Sequence, residues 1–278
     1  MTTRRFRQVD VFTTVPYSGN PVAVVLDAGG LDAGAMQRFA RWTNLSETTF
    51  VLPPQHPTAD YRLRIFTPSQ ELPFAGHPTL GSCHAWLEAG GAPKQAGVVV
   101  QECGAGLVPV RQDDGGLAFV GPPLTRSGPV DESDLAHVVD LLGIDRAAVV
   151  DSNWVVNGPP WVAVLLPSAA DVLAVRPRTV DMMIGVVGAY PAGSPEALEV
   201  RAFFPVEGTT REDPVTGSLN AGLAAWLTAT DRVRAPYTAR QGTALGRDGR
   251  VRITQGDDGR LWVGGGAVTC IEGTVRLP

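Results

Sequence analysis

Three titratable side chains stand where this chain could move a proton. Glu47 lies in Asn44-Leu45-Ser46-Glu47-Thr48-Thr49-Phe50, a helix-to-strand junction flanked by small hydroxyl residues. A carboxylate there can act as a general acid/base if partial burial raises its pKa toward about 6–7. The plainer alternative is a solvated carboxylate at a strand end. Asp213 lies in Arg211-Glu212-Asp213-Pro214-Val215-Thr216-Gly217-Ser218. Pro214 predicts a helix start, placing Asp213 at the N-cap or just outside it, and the small residues after it would let a ligand approach the backbone. Free N–H groups and the positive end of the helix dipole suit an anion. The alternative is that Asp213 only caps the helix, worth about 1 kcal/mol. His77, in Phe74-Ala75-Gly76-His77-Pro78-Thr79, is expected at a second helix start. The dipole there would keep the imidazole neutral, able to donate or accept a hydrogen bond; a structural histidine is the alternative. His84 reads as packed inside, and His56 and His137 as loop and surface-helix residues.

Other chemistries lack their residues. Four scattered histidines without a paired-carboxylate motif make no metal set. The three cysteines, Cys83, Cys103 and Cys270, have no ligand spacing, and an odd, sparse set suits a reduced, cytoplasmic protein. Gly104-Ala105-Gly106 and Gly264-Gly265-Gly266 fail the dinucleotide pattern and read as turns. No Gly-x-Ser-x-Gly elbow surrounds Ser218. A net charge of −5 with scattered basic residues argues against a nucleic-acid or anionic-membrane surface. No apolar run reaches the roughly 18–20 residues of a membrane span, and Gln8 and Asp10 come too early for a signal peptide.

The elements that must position these residues are written twice. Val22-Ala23-Val24-Val25-Leu26 returns about 140 residues later as Val162-Ala163-Val164-Leu165-Leu166, and Arg64-Ile65-Phe66-Thr67-Pro68 as Arg201-Ala202-Phe203-Phe204-Pro205. After each comes a turn and a small-residue helix, one from Gly76 to Trp86-Leu87, the other from Asp213 to Trp226-Leu227. A period this long is a duplicated domain rather than a solenoid. Two lobes of one design would leave a cleft where equivalent loops meet, a favoured place for a small ligand. The expected division is 1–121 for the N-terminal lobe, with the C-terminal strand 267–278 a candidate to complete it, and 122–278 for the C-terminal lobe. Short β-branched and aromatic runs predict strands over 6–12, 22–26, 48–52, 61–66, 98–102, 108–111 and 117–120. Helices are expected over 35–42, 78–89 and 133–142, a linker over 121–129, and a hairpin-like tail over 250–253, 261–263 and 267–271. Charged residues make up 18% of the chain, below the usual ~25%; this suits a strand-rich α/β chain with much surface buried, an oligomer interface included.

Several segments together carry a family resemblance. They are Ser18-Gly19-Asn20-Pro21, Asn44 to Phe50, Phe66-Thr67-Pro68 through Glu71-Leu72-Pro73-Phe74-Ala75-Gly76-His77, Glu212 to Ser218, and Gln241-Gly242 with Gly246-Arg247. In order and spacing they resemble the PhzF-type phenazine-biosynthesis family, of the diaminopimelate-epimerase fold. The resemblance implies two pseudo-symmetric α/β lobes, each a curved sheet or barrel around a central helix, with the active site at the two helix N-termini. It implies cofactor-independent isomerisation of a small carboxylated, unsaturated or cyclic metabolite in secondary metabolism, with Glu47 moving the proton and His77 and Asp213 beside it. Asn20, Ser46, Gly76, Gly217 and Ser218 are the expected substrate-binding residues; no metal or cofactor is expected, and the assembly expected is a cytoplasmic homodimer. Epimerases and racemases of this fold use a cysteine pair, where this chain has Gly76 and Gly217. One carboxylate that removes and returns a proton favours a shift along a conjugated system on one face. Epimerase, racemase or dehydratase chemistry, or a non-catalytic binding role, are the alternatives. Two departures, Ala75-Gly76-His77-Pro78 for the frequent Cys-Gly-His-Ala and Gly217-Ser218-Leu219-Asn220 for Gly-Ser-Ala-His, alter the pocket wall and leave the substrate open.

Overall fold

The computed structural model describes residues 1–278, which divide into two units, 1–120 with 264–278, and 121–263. In the first unit the chain runs β1 (Thr2–Val11), β2 (Asn20–Val25), α1 (Ala33–Thr43), β3 (Thr48–Leu52), β4 (Tyr61–Phe66), β5 (Glu71–Leu72), α2 (Gly76–Glu88), β6 (Val98–Cys103), β7 (Gly106–Asp113) and β8 (Gly116–Val120). The second contains β9 (Arg126–Gly128), α3 (Glu132–Leu142), β10 (Asp151–Val156), β11 (Val162–Leu166), α4 (Ala169–Ala174), β12 (Ile184–Ala189), β13 (Leu198–Val206), β14 (Thr209–Glu212), α5 (Gly217–Ala229), β15 (Tyr237–Gln241) and β16 (Gly249–Gln255). β17 (Leu261–Gly265) follows, and β18 (Ala267–Leu277) pairs antiparallel with β1 along its whole length, so the end of the chain belongs to the first unit.

The repeat seen in the sequence is a repeat of hydrogen-bonding order. In the first unit β1 and β2 are antiparallel, β2 and β3 parallel, β3 and β4 antiparallel, β4 and β5 antiparallel, and β4 and β6 parallel. In the second, β10 and β11, β11 and β12, β12 and β13, β13 and β14, and β13 and β15 repeat those five relations in turn. Each parallel step needs a crossover; α1 supplies it between β2 and β3, and α4 between β11 and β12.

Each unit is a sheet-rich shell around one helix. α2 packs on β1, β2, β3, β4, β6, β8 and β18, and α5 on β10 and β16. Both are built from small residues and buried on most sides, including the unbroken run Gly76–Cys83 and most of Gly217–Leu227, the pattern of a core helix rather than an amphipathic one. Gly81 and Gly222 show how close the strands come. A Cβ on Gly81 would meet Val22 Cγ1 at 2.4 Å, and one on Gly222 the Val155 carbonyl at 2.9 Å. α1 is instead two-faced: Ala35, Met36, Phe39 and Ala40 are buried, all four beside Phe50 and Phe66 in one core cluster.

Two sequence expectations change. Residues 121–129 are not a bare linker, because Arg126–Gly128 form β9 and pair with Trp154 to Val156 of β10. This strand takes the edge of β10 that β11 leaves open. The central helix of the second unit begins at Gly217 with Thr216 as N-cap, not at Pro214, so Asp213 lies ahead of the cap.

Candidate active site

In the first unit, α1 delivers Glu47. The helix is capped by Asp32, whose Oδ1 accepts from Ala35 N at 2.7 Å, and ends at Asn44 in the left-handed conformation that asparagine tolerates. The chain then passes the exposed Ser46 and enters β3, with the Glu47 carbonyl accepting from Ala23 N at 3.4 Å. The neighbouring threonines bind the scaffold: Thr48 Oγ1 is 2.8 Å from Thr43 Oγ1, and Thr49 Oγ1 2.8 Å from Ser82 Oγ on α2. Strand and helix are thereby linked, and Glu47 Oε2 lies 3.3 Å from His77 Nε2, the side chains 16% and 7% exposed.

His77, the second residue of α2, also meets buried Asn20 at the start of β2, with Nδ1 3.5 Å from Asn20 Nδ2. Burial pushes its imidazole down to about 3, only partly offset by the Pro21 carbonyl. Desolvation, the largest cause, therefore keeps the ring neutral at ordinary pH. Glu47, His77 and Asn20 thus converge beside the buried Gly76 at one helix start. His84 lies farther along α2 with Nε2 3.3 Å from Glu88 Oε1; His56 meets Thr58 and His137 meets Asp181 on the surface.

In the second unit, the β13–β14 hairpin delivers Asp213, whose N–H donates to the Ala202 carbonyl at 3.0 Å. Arg201 holds Glu212 in a two-pronged pair, Nε to Oε1 at 2.9 Å and Nη2 to Oε2 at 2.8 Å. Thr216 Oγ1 donates to Asp213 Oδ2 at 2.6 Å, so the carboxylate turns back on the loop instead of capping α5 directly. Gly217 opens the helix and Ser218 follows it. The Ser218 hydroxyl accepts from Trp161 Nε1 at 3.1 Å and its carbonyl from Asn157 Nδ2 at 2.9 Å. Trp161 and Asn157 went unnoticed in the sequence, although Asn157-Gly158-Pro159 before β11 echoes Gly19-Asn20-Pro21 before β2.

Thiol chemistry has no place at either helix start. Cys83 is buried inside α2, and burial pushes its thiol up to about 12; Cys103 on β6 is raised by the same cause, and Cys270 lies on β18. No three His, Cys, Asp or Glu side chains cluster in metal-holding geometry. A cavity of about 620 Å³ opens at the other end of α2, lined by Arg5, Asp27, Pro54 and Trp86 among others, and none of the candidate residues lines it. No helix is long and apolar enough to cross a membrane.

Comparison with known proteins gives these two helix starts a family. Residues 9–273 match the family described as phenazine biosynthesis-like protein. The chain is 37% identical to antisense-enhancing sequence 1 of Schizosaccharomyces pombe, covering 98% of this chain and 99% of that one. It is 36% identical to trans-2,3-dihydro-3-hydroxyanthranilate isomerase of Pseudomonas aeruginosa, over 89% of this chain and 88% of that one. The crystal structure of a Bacillus anthracis phenazine biosynthesis protein of the PhzF family superposes with a TM-score of 0.83 at 24% identity, covering 99% of this chain and 100% of that one, and shares its fold. The chain belongs to the phenazine biosynthesis-like protein family and is an enzyme of its isomerase type.

Proposed function

We propose that this enzyme shifts a proton along a small carboxylated, unsaturated or cyclic metabolite without a cofactor, with Glu47 as the acid/base. The observation that carries the reading is the pairing of Glu47 with a buried, neutral His77 at 3.3 Å. A carboxylate held against an uncharged imidazole can take a proton and give it back without being locked into an ion pair. Gly76 and Gly217 stand where a cysteine-pair epimerase would need thiols, which favours one base working on one face. Asp213 holds or protonates a second group of the substrate, and Asn20, Ser46, Gly217 and Ser218 help to bind it. The name of the Pseudomonas aeruginosa relative supplies the first substrate to try, trans-2,3-dihydro-3-hydroxyanthranilate, followed by other small cyclic and unsaturated carboxylates.

Turnover in D₂O tests the mechanism. A single carboxylate predicts deuterium at one new position with one stereochemistry, together with some retained hydrogen, because a half-buried Glu47 exchanges slowly within a turnover. Full solvent deuterium with inverted configuration, at a carbon whose bonds have not moved, would refute the reading and establish an epimerase.

A further inference from the structure

Gln241, at the end of β15, is fully buried, and its side-chain amide bonds only to the segment that carries Asp213. Oε1 accepts from Thr216 N at 3.0 Å and from Asn220 Nδ2 at 2.8 Å. Nε2 donates to the Asp213 carbonyl at 3.0 Å and to Thr216 Oγ1 at 3.0 Å. The amide orientation is dictated by the backbone. A peptide N–H can only donate, so the atom facing Thr216 N is the oxygen; a peptide carbonyl can only accept, so the atom facing Asp213 O is the nitrogen. Asn220, which stands where the family often has histidine, reinforces this: its amide donates both to Gln241 Oε1 and to the Thr216 carbonyl at 2.9 Å.

That orientation leaves the Thr216 hydrogen free for Asp213. The Thr216 hydroxyl receives an N–H from Gln241, so its single hydrogen points at Asp213 Oδ2, 2.6 Å away. An O–H···O distance of this length is typical of a bond to a charged acceptor. We propose that Gln241 is a positioning residue which, by orienting the Thr216 hydroxyl, holds Asp213 as an ionised hydrogen-bond acceptor toward the substrate.

The other unit supplies the contrast. Gln101 on β6, the partner of β4 as β15 is of β13, is also fully buried. Its Nε2 donates to Thr79 Oγ1 at 3.0 Å and its Oε1 accepts from the Tyr61 hydroxyl at 3.0 Å. It fastens the central helix to the sheet without touching Glu47 or His77 in these bonds. Buried glutamines on equivalent strands, two positions apart in register, are thus scaffold in one unit and connected to a carboxylate in the other. Charged residues around the Asp213 segment are Arg211, Glu212 with its partner Arg201, and Arg247, which packs with the Pro214 carbonyl at Gly242; Asp248, next along, is paired with Arg240 and Arg250. First-turn acids are absent from α5.

The inference rests on the proposed role of Asp213 in binding, but its test needs no substrate. The Asp213 carboxyl is followed by ¹³C NMR across pH in the full chain, its signal assigned by loss in Asp213→Asn. Thr216→Val removes the hydroxyl, Thr216→Ser restores it, and Gln241→Glu replaces the donating amide with an acceptor that draws the Thr216 proton away. Thr216→Val and Gln241→Glu should each raise the titration midpoint by roughly one pH unit, Thr216→Ser should return it, and Gln101→Glu should leave it in place. Because Gln241 acts through Thr216, the double variant should shift less than the sum of the two singles. Should Gln241→Glu not fold by circular dichroism, Gln241→Met takes its place in the cycle. An unmoved midpoint in folded Thr216→Val, additive shifts in the cycle, or an equal shift in Gln101→Glu overturns the proposal. Catalysis by Glu47 could fail its own D₂O test with this result standing, and the reverse.

Discussion

The two units carry the same Arg–Glu clamp at different depths. Arg64 on β4 holds Glu71 on β5 with Nε to Oε1 at 2.7 Å and Nη2 to Oε2 at 2.6 Å, while Arg201 on β13 holds Glu212 on β14 in the same two-pronged way. Each guanidinium also lies over a phenylalanine two residues on, Phe66 at 5.1 Å and Phe203 at 4.8 Å. The first pair is partly solvated, with side chains 19% and 41% exposed; the second is nearly dry at 5% and 11%. Arg201 Nη1 further donates to the Val172 and Val175 carbonyls. Duplication therefore preserves the scaffold while the chemistry around it diverges. The divergence is sharpest at the proposed acid/base. The ladder bond from Ala23 N to the Glu47 carbonyl recurs as Val162 N to the Met183 carbonyl, so a thioether stands where the first unit has its carboxylate. A shared scaffold with a carboxylate in one unit only is the arrangement that the proposed proton shift on one face would use.

The largest expected effect separates the units at that point. Glu47→Gln should lower turnover by about 10²–10⁴-fold, since it keeps shape and removes proton transfer, while thermal unfolding stays close to the parent's. Activity within a few-fold of the parent would make Glu47 structural.

The clamps should separate in stability. Arg201→Ala strands Glu212 in a dry site and should cost about 3–5 kcal/mol; Arg64→Ala leaves Glu71 in contact with water and should cost at most about 1 kcal/mol. Urea unfolding of both variants checks the ordering, and equal losses would mean that burial does not distinguish the two pairs.

A smaller effect belongs to the first unit alone. His77 has a folded-state pKa depressed to about 3 from the ordinary imidazole value of 6.5. Its neutral burial therefore contributes stability that is fully present above about 6.5 and is lost as pH falls toward 3, where the unfolded chain takes a proton that the folded one refuses. Stability of the parent should accordingly drop more steeply than that of His77→Gln between pH 7 and pH 4.5. Parallel curves would place no titration cost on His77.

The smallest effect is expected from the thiols. Replacing Cys83, Cys103 and Cys270 together should leave turnover within an order of magnitude, apart from a packing loss at Cys83 inside α2. Stoichiometric inactivation of the parent by a thiol reagent would contradict this.

Much of the scaffold was legible because duplication writes the core pattern twice. The β-branched runs at 22–26 and 162–166, the Arg-x-Phe-x-Pro strands and the two small-residue helices identified the repeat, and the motifs around Glu47, His77 and Asp213 identified the family. Boundaries were less legible. Pro214 reads as a helix start, yet Gln241, arriving from 25 residues beyond Thr216, pins the loop so that α5 begins at Gly217. The segment at 126–128 reads as linker because its residues have no strand pattern; only the free edge of β10 makes it a strand.

Residue types by themselves offered one carboxylate at a helix-to-strand junction and a histidine and a second carboxylate near helix starts; the family resemblance added that glycines stand where a cysteine pair would need thiols. Which of those residues meet was decided by the tertiary structure. His77 is neutral chiefly because the fold buries it, and it meets Glu47 where Thr49 and Ser82 join β3 to α2. The direction of the Thr216 proton depends on an amide arriving from β15. Desolvation and hydrogen-bond direction arise from contacts between segments far apart in the chain, and no local pattern of residues encodes them.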